Sequence, residues 1–189
     1  MHLTDRKKLT TMRRALLIFI VLLLTGCDHV PSDNPRYALR QKVLFQFEYV
    51  NYAWGFQHRG WLINSSGELH CYNLPDNWNF PDSTGTISAT DMEQNLQNTD
   101  SICYQINPEV LKAKFLLLPL AAKGPLSDPV SEMADAGSAV YAGYILDQST
   151  NRYERILLQQ LGDIRIENRS QQAHELYEWL QSVNQEISK

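Results

Sequence analysis

From Ser138 to Asn168 the chain reads as three strands in succession, joined by turns too short for anything but an antiparallel return. Ser138-Ala-Val-Tyr-Ala-Gly-Tyr-Ile-Leu-Asp147 is the first, and Gln148-Ser-Thr-Asn151 supplies the turn. Tyr153-Glu-Arg-Ile-Leu-Leu-Gln-Gln-Leu161 returns, and Gly162-Asp163 turns again into Ile164-Arg-Ile-Glu-Asn168. A chain carrying this meander has to fold around an antiparallel sheet.

A second antiparallel unit precedes it. Val43, Phe45, Phe47 and Tyr49 alternate with Leu44, Gln46, Glu48 and Val50, which predicts a strand buried on one face only. Glu48 is expected on the solvated face. Asn51-Tyr-Ala-Trp-Gly-Phe56 continues or bends this strand, with Gly55 at a bulge or turn. Gly60-Trp-Leu-Ile-Asn64 and Glu68-Leu-His-Cys-Tyr-Asn73 flank Ser65-Ser-Gly67, whose residues tolerate hairpin-turn conformations.

Helical signals are fewer. Thr90-Asp-Met-Glu93 has the capping-box pattern and predicts a short helix to about Asn98. Asn107-Pro108 places a cap and a first-turn proline before Val110, Leu111, Phe115 and Leu118, with Pro119 as the stop. Ala173, Leu176, Leu180, Val183 and Ile187 recur at steps of three and four, forming one apolar stripe on a C-terminal helix. The stripe is expected to pack on the protein's own sheet. Residues 74–90 and 119–137 read as loops. The fold class is therefore α+β: an antiparallel sheet of hairpins and meander, with two or three helices, the C-terminal amphipathic one included, on one face.

The N-terminus belongs to a different regime. Arg6, Lys7, Lys8, Arg13 and Arg14 precede the ten apolar residues Ala15–Leu24. As a helix that run spans about 15 Å, half a bilayer core, which suits a secretory signal rather than a membrane span. Leu24-Thr25-Gly26-Cys27 then resembles the lipobox of bacterial lipoproteins, over residues 1–30 alone. The resemblance implies cleavage before Cys27, lipidation of its sulfur and acylation of its new amino group. It also implies a cell-envelope location, with Asp28 favouring retention at the inner membrane, facing the periplasm, in Gram-negative bacteria of the enteric type. On this reading residues 1–26 are the signal, 27–36 a lipidated tether with two prolines, and 37–189 a single domain.

The signal takes five of the 17 basic residues and one of the 21 acidic ones, so the mature chain carries a formal −8 where the precursor carries −4. That excess argues against nucleic acid and against adhesion to anionic headgroups. Two cysteines remain, Cys71 and Cys103, and outside the cytoplasm they are expected to pair.

Motifs for chemistry are missing: the sequence has no GxSxG, HExxH, phosphate-binding or dinucleotide-binding pattern. No catalytic residue, metal or cofactor is assigned. His174 and Glu178 stand four apart on the last helix and read as a surface hydrogen-bonded pair. Glu48 would be the first candidate for acid–base work. The compositional anomaly is aromatic: Phe45 to Phe80 holds ten aromatic residues. Trp54, Trp61, Trp78 and Phe80 are the candidate binding residues, because exposed rings stack on sugars or anchor protein interfaces. The functional expectation is a non-enzymatic, membrane-anchored binding domain for an envelope protein or a glycan. A periplasmic inhibitor or immunity-type lipoprotein is the alternative. A hydrolase of cell wall or carbohydrate comes last, since it would need an acid–base pair in a cleft.

Overall fold

The computed structural model describes residues 41–187, so Cys27, Asp28, the signal and the tether lie outside the described residues. Nine strands form an antiparallel sheet: β1 (Val43–Asn51), β2 (Gln57–Asn64), β3 (Glu68–Asn73), β4 (Thr86–Ser88), β5 (Ser101–Gln105), β6 (Val130–Ser131), β7 (Ser138–Asp147), β8 (Arg152–Gly162) and β9 (Ile164–Glu167). Their order is β5-β3-β2-β1-β7-β8-β9-β6, with β4 paired to β8. The helices are α1 (Ala89–Gln97), α2 (Pro108–Phe115) and α3 (Gln171–Ile187), with a single helical turn at Leu118–Ala121. The α+β class, the meander β7-β8-β9 and the β2-β3 hairpin are as the sequence pattern requires.

β1 joins the two antiparallel units, pairing with β2 on one side and β7 on the other. A central strand has no edge, and here both its faces are covered, so the expectation of one solvated face is wrong. A bulge between Val43 and Phe45 also breaks the alternation. Val43 joins Leu62, Tyr72, Met92 and Tyr144 on one face, while Leu44 and Phe45 join Trp61, Ile63 and Leu69 on the other.

The second of these faces is the larger core. Ala173, Leu176, Leu180 and Val183 of α3 lie on it with Leu111 and Phe115 of α2 and Leu118 of the helical turn. Phe45 meets Phe115 and Trp179 edge-on. The C-terminal stripe thus docks on its own sheet. Helix α1 lies on the opposite face, through Met92 and Leu96, so the helices do not share one side.

Local chemistry explains two boundary corrections. The hydroxyl of Ser88, not of Thr90, accepts from the amide of Asp91, and it donates to the Asp91 carboxylate, so α1 begins two residues earlier. Asn107 caps α2 as its sequence indicates, accepting from the amides of Glu109 and Val110. Pro119 does not stop that helix: α2 ends at Phe115, and Pro119 sits in the first turn of the next helical segment, where its missing amide costs nothing.

β4, β5 and β6 lie outside the strands expected from the sequence. β5 is an exposed edge strand, and the Cys71–Cys103 disulfide fastens it to β3, with a Cα–Cα distance of 5.9 Å.

Candidate functional site

The face of β1 that was expected to be wet holds a closed polar array. Glu48 is 6% exposed and His58 1%, and Nε2 of His58 lies 2.9 Å from Oε1 of Glu48. The two are diagonal neighbours in the β1-β2 ladder: Glu48 pairs with Gly60, and His58 with Val50. Gly60 is what allows the contact to be covered. A Cβ there would lie 2.1 Å from the carbonyl oxygen of Phe47 and 2.7 Å from the hydroxyl of Tyr72. Gln46 completes the array, donating to Glu48 Oε1 at 3.4 Å and to the Tyr72 hydroxyl at 3.2 Å while accepting from the Tyr144 hydroxyl. Burial first, and then the Glu48 carboxylate, hold the Tyr72 and Tyr144 phenols well above the ordinary tyrosine range.

Aromatic rings wall this array. The His58 ring has Tyr72, Phe80 and Trp78 at centroid distances of 5.2, 5.2 and 5.3 Å, and Phe56 at 6.0 Å. Trp78 in turn lies 4.2 Å from Tyr72. The loop that carries Trp78 and Phe80 is pinned to α1 by Asn95, whose side-chain amide donates to the Asn79 carbonyl (2.7 Å) and accepts from the Asn79 amide (2.8 Å). An acid–base pair needs access to a substrate proton to act. The Glu48–His58 pair has rings over it instead of a cleft, and the arrangement suits a brace between strands.

The stack does not stop at the surface. From His58 it continues through Phe56 to Tyr52, whose centroids are 5.2 Å apart, and so reaches the β1-β2 connection. Tyr52 is 72% exposed, Trp54 79%, and Phe56, Phe80 and Leu74 are each about half exposed. The four aromatic candidates therefore separate. Trp54 and Phe80 lie in this exposed cap, and Trp78 is half buried beneath it. Trp61 is corrected: at 1% exposure it belongs to the helix-covered core, with its indole N–H donating to Asn184 at 3.0 Å. It alternates along β2 with Leu62 and so faces away from His58. Tyr52 and Phe56 were missed, although the run Tyr52-Ala-Trp-Gly-Phe56 has no charge and a glycine at φ +94, the signature of a tight, exposed connection.

Beside Tyr52 an open groove runs to the β8-β9 turn, with Asp135, Ser138, Gln160, Asp163 and Ile164 along it. Asn51 ties cap to groove. Its side-chain nitrogen donates to the Asp135 carbonyl and the Tyr49 hydroxyl, both at 3.0 Å, and its oxygen accepts from the Ala53 amide at 2.8 Å. Gly137, at φ +74, brings its backbone so close to Val50 that a Cβ would lie 2.5 Å from the Val50 carbonyl oxygen.

Among the described residues no group of three or more His, Cys, Asp or Glu side chains is placed to hold a metal ion. His174 and Glu178 form a surface pair at 3.2 Å. No helix among these residues is long and apolar enough to cross a membrane. No family model, no curated protein and no solved structure matches this chain.

Proposed function

We propose that this protein is a lipid-anchored envelope domain that works by binding, not catalysis, and takes its partner on the aromatic cap at the β1-β2 end. The observation that carries this reading is the exposure of Trp54 and Tyr52 at 79% and 72%, beside half-exposed Phe56 and Phe80. Large rings left in water at one end of a well-packed sheet are costly unless something covers them. Their support is stiff, because the stack beneath them is fixed by Glu48, Gln46 and Asn95, and a preformed surface loses little entropy on binding.

With Asp28 after the anchor, the inner membrane facing the periplasm is the expected site in a Gram-negative host.

A photoreactive residue at position 54 tests the binding reading in intact cells, with position 174 on the exposed side of α3 as control. Crosslinked products are expected at 54 and not at 174; equal yields would count against the cap. The anchor is tested separately by Cys27→Ser, which should accumulate as unprocessed, unlipidated precursor.

A further inference from the structure

We infer that the partner is a glycan, uncharged or amino-bearing, that stacks a sugar ring on Tyr52 and runs along the groove past Asp135 and Gln160. The inference rests on the binding reading above and names its ligand class. A pyranose ring offers two unlike surfaces: a face of C–H groups and a rim of hydroxyls. The site offers both kinds of surface. Tyr52 is exposed on the groove, and Val50, Ala53 and Ile164 add apolar lining. The same lining holds hydrogen-bonding groups that suit a sugar rim: the carboxylates of Asp135 and Asp163, the amide of Gln160 and the hydroxyl of Ser138.

The charge in the groove narrows the class. Both ionisable groups named along it are carboxylates, and the mature chain is acidic as a whole. An anionic polysaccharide would be repelled, whereas a neutral chain is accepted and an amino sugar attracted. The same carboxylates disfavour a lipid surface as the cover of the cap, since docking the rings would press Asp135 toward anionic headgroups.

The groove is also preformed. Tyr49 donates to the Ala136 carbonyl at 3.1 Å, and the Ala136 amide donates to Asp163 at 2.7 Å. With the Asn51 bracket, these bonds lock the Tyr52 end, the 135–137 segment and the β8-β9 turn into one unit. Asp135 is held at φ +63, an uncommon conformation for a residue other than glycine, and its backbone carbonyl is held by Asn51.

The test titrates the full-length lipidated protein, in detergent micelles, with cellotetraose, with chitotetraose and with the de-N-acetylated form of chitotetraose, following tryptophan emission. Trp54, two residues from Tyr52, reports occupancy. A saturable change is expected, with the amino-bearing tetramer bound most tightly. Tyr52→Ala should weaken every tetramer at least about tenfold, the effect of losing an interface anchor. Asp135→Asn should erase the preference for the amino sugar and spare the neutral ones. No saturable response to any tetramer, or one that Tyr52→Ala leaves unchanged, overturns the glycan inference. Crosslinks at position 54 that persist alongside that failure would assign the cap to a protein and leave the binding reading standing. Loss of both would remove the two readings together.

Discussion

Glu48 and His58 meet at 2.9 Å across two strands, on a face of the sheet where neither is opposite the other. The pair is enclosed by Gln46, Tyr72 and a shell of rings, so its two halves depend on each other. Removing one partner strands the other in a dry site, which typically costs about 3–5 kcal/mol. Glu48→Ala and His58→Ala are each expected to lose that much in urea unfolding. The double variant should lose clearly less than the sum. Fully additive losses would show that the two side chains do not act as a unit.

Gly60 gives a sharper test of the same arrangement. The carbonyl of Phe47 lies where a methyl group would go, and it belongs to β1 backbone that cannot withdraw without breaking the ladder. Gly60→Ala should therefore destabilise by at least about 1–3 kcal/mol, the usual cost of overpacking. Gly85 is the control, because the nearest atom to a Cβ there is 3.9 Å away. Its φ of +78 adds some strain to an alanine, so the comparison reads the difference between the two losses.

The two exposed-or-buried tryptophans make opposite demands. Trp61→Ala empties a core site and removes the hydrogen bond to Asn184, and a loss of about 3–5 kcal/mol is expected. Trp54→Ala touches nothing comparable and should stay within about 0.5 kcal/mol of the parent. Thermal unfolding of both decides this, and a large loss at Trp54 would mean that the cap is structural.

Much of this architecture was legible because it is written locally. The meander β7-β8-β9 needs only turn residues at the right spacing, the cap of α2 needs only Asn107 and Pro108, and the stripe of α3 needs only its period. What escaped is set by partners distant in sequence. Glu48 looks like a solvated strand carboxylate until β2 brings His58 diagonally to it and the 74–80 loop covers both. β5 alternates only Ile102 and Tyr104 with Ser101, Cys103 and Gln105, too short a run to stand out, and all five residues are exposed while a disulfide does the fastening. The start of α1 was misplaced: Thr90-x-x-Glu93 has the capping-box pattern, but Ser88, the last residue of β4 where it pairs with β8, is the cap. In the aromatic cluster, a two-residue period separates Trp61 from the His58 side, but it cannot say which side is closed by helices.

The Cys71–Cys103 bridge should matter most at the sheet edge. It closes a separation of 32 residues, for which the chain-entropy model gives about 3–4 kcal/mol. Cys103→Ser is expected to lose this amount and to raise amide exchange first in residues 101–105, which have only β3 as a strand partner. Uniform exchange across the sheet would sink the idea that the bridge guards one edge.

The buried phenols fix the alkaline limit of stability. Burial pushes Tyr141 up to about 12, and it holds Tyr72 and Tyr144 well above the ordinary value. In the unfolded chain these groups ionise near pH 10. The raised folded values mean that the unfolded chain releases protons first as pH rises. Stability is therefore whole below about pH 10 and declines above it, by about 1.4 kcal/mol per pH unit for each phenol ionised only when unfolded. Urea midpoints should hold level up to about pH 9 and fall steadily from about pH 10 to pH 12. Phenolate absorbance should show a late stage, in which the buried rings ionise only as the protein opens. Tyr141→Phe removes one of the late groups and should make the decline shallower; an unchanged slope would show that Tyr141 already ionises in the folded protein.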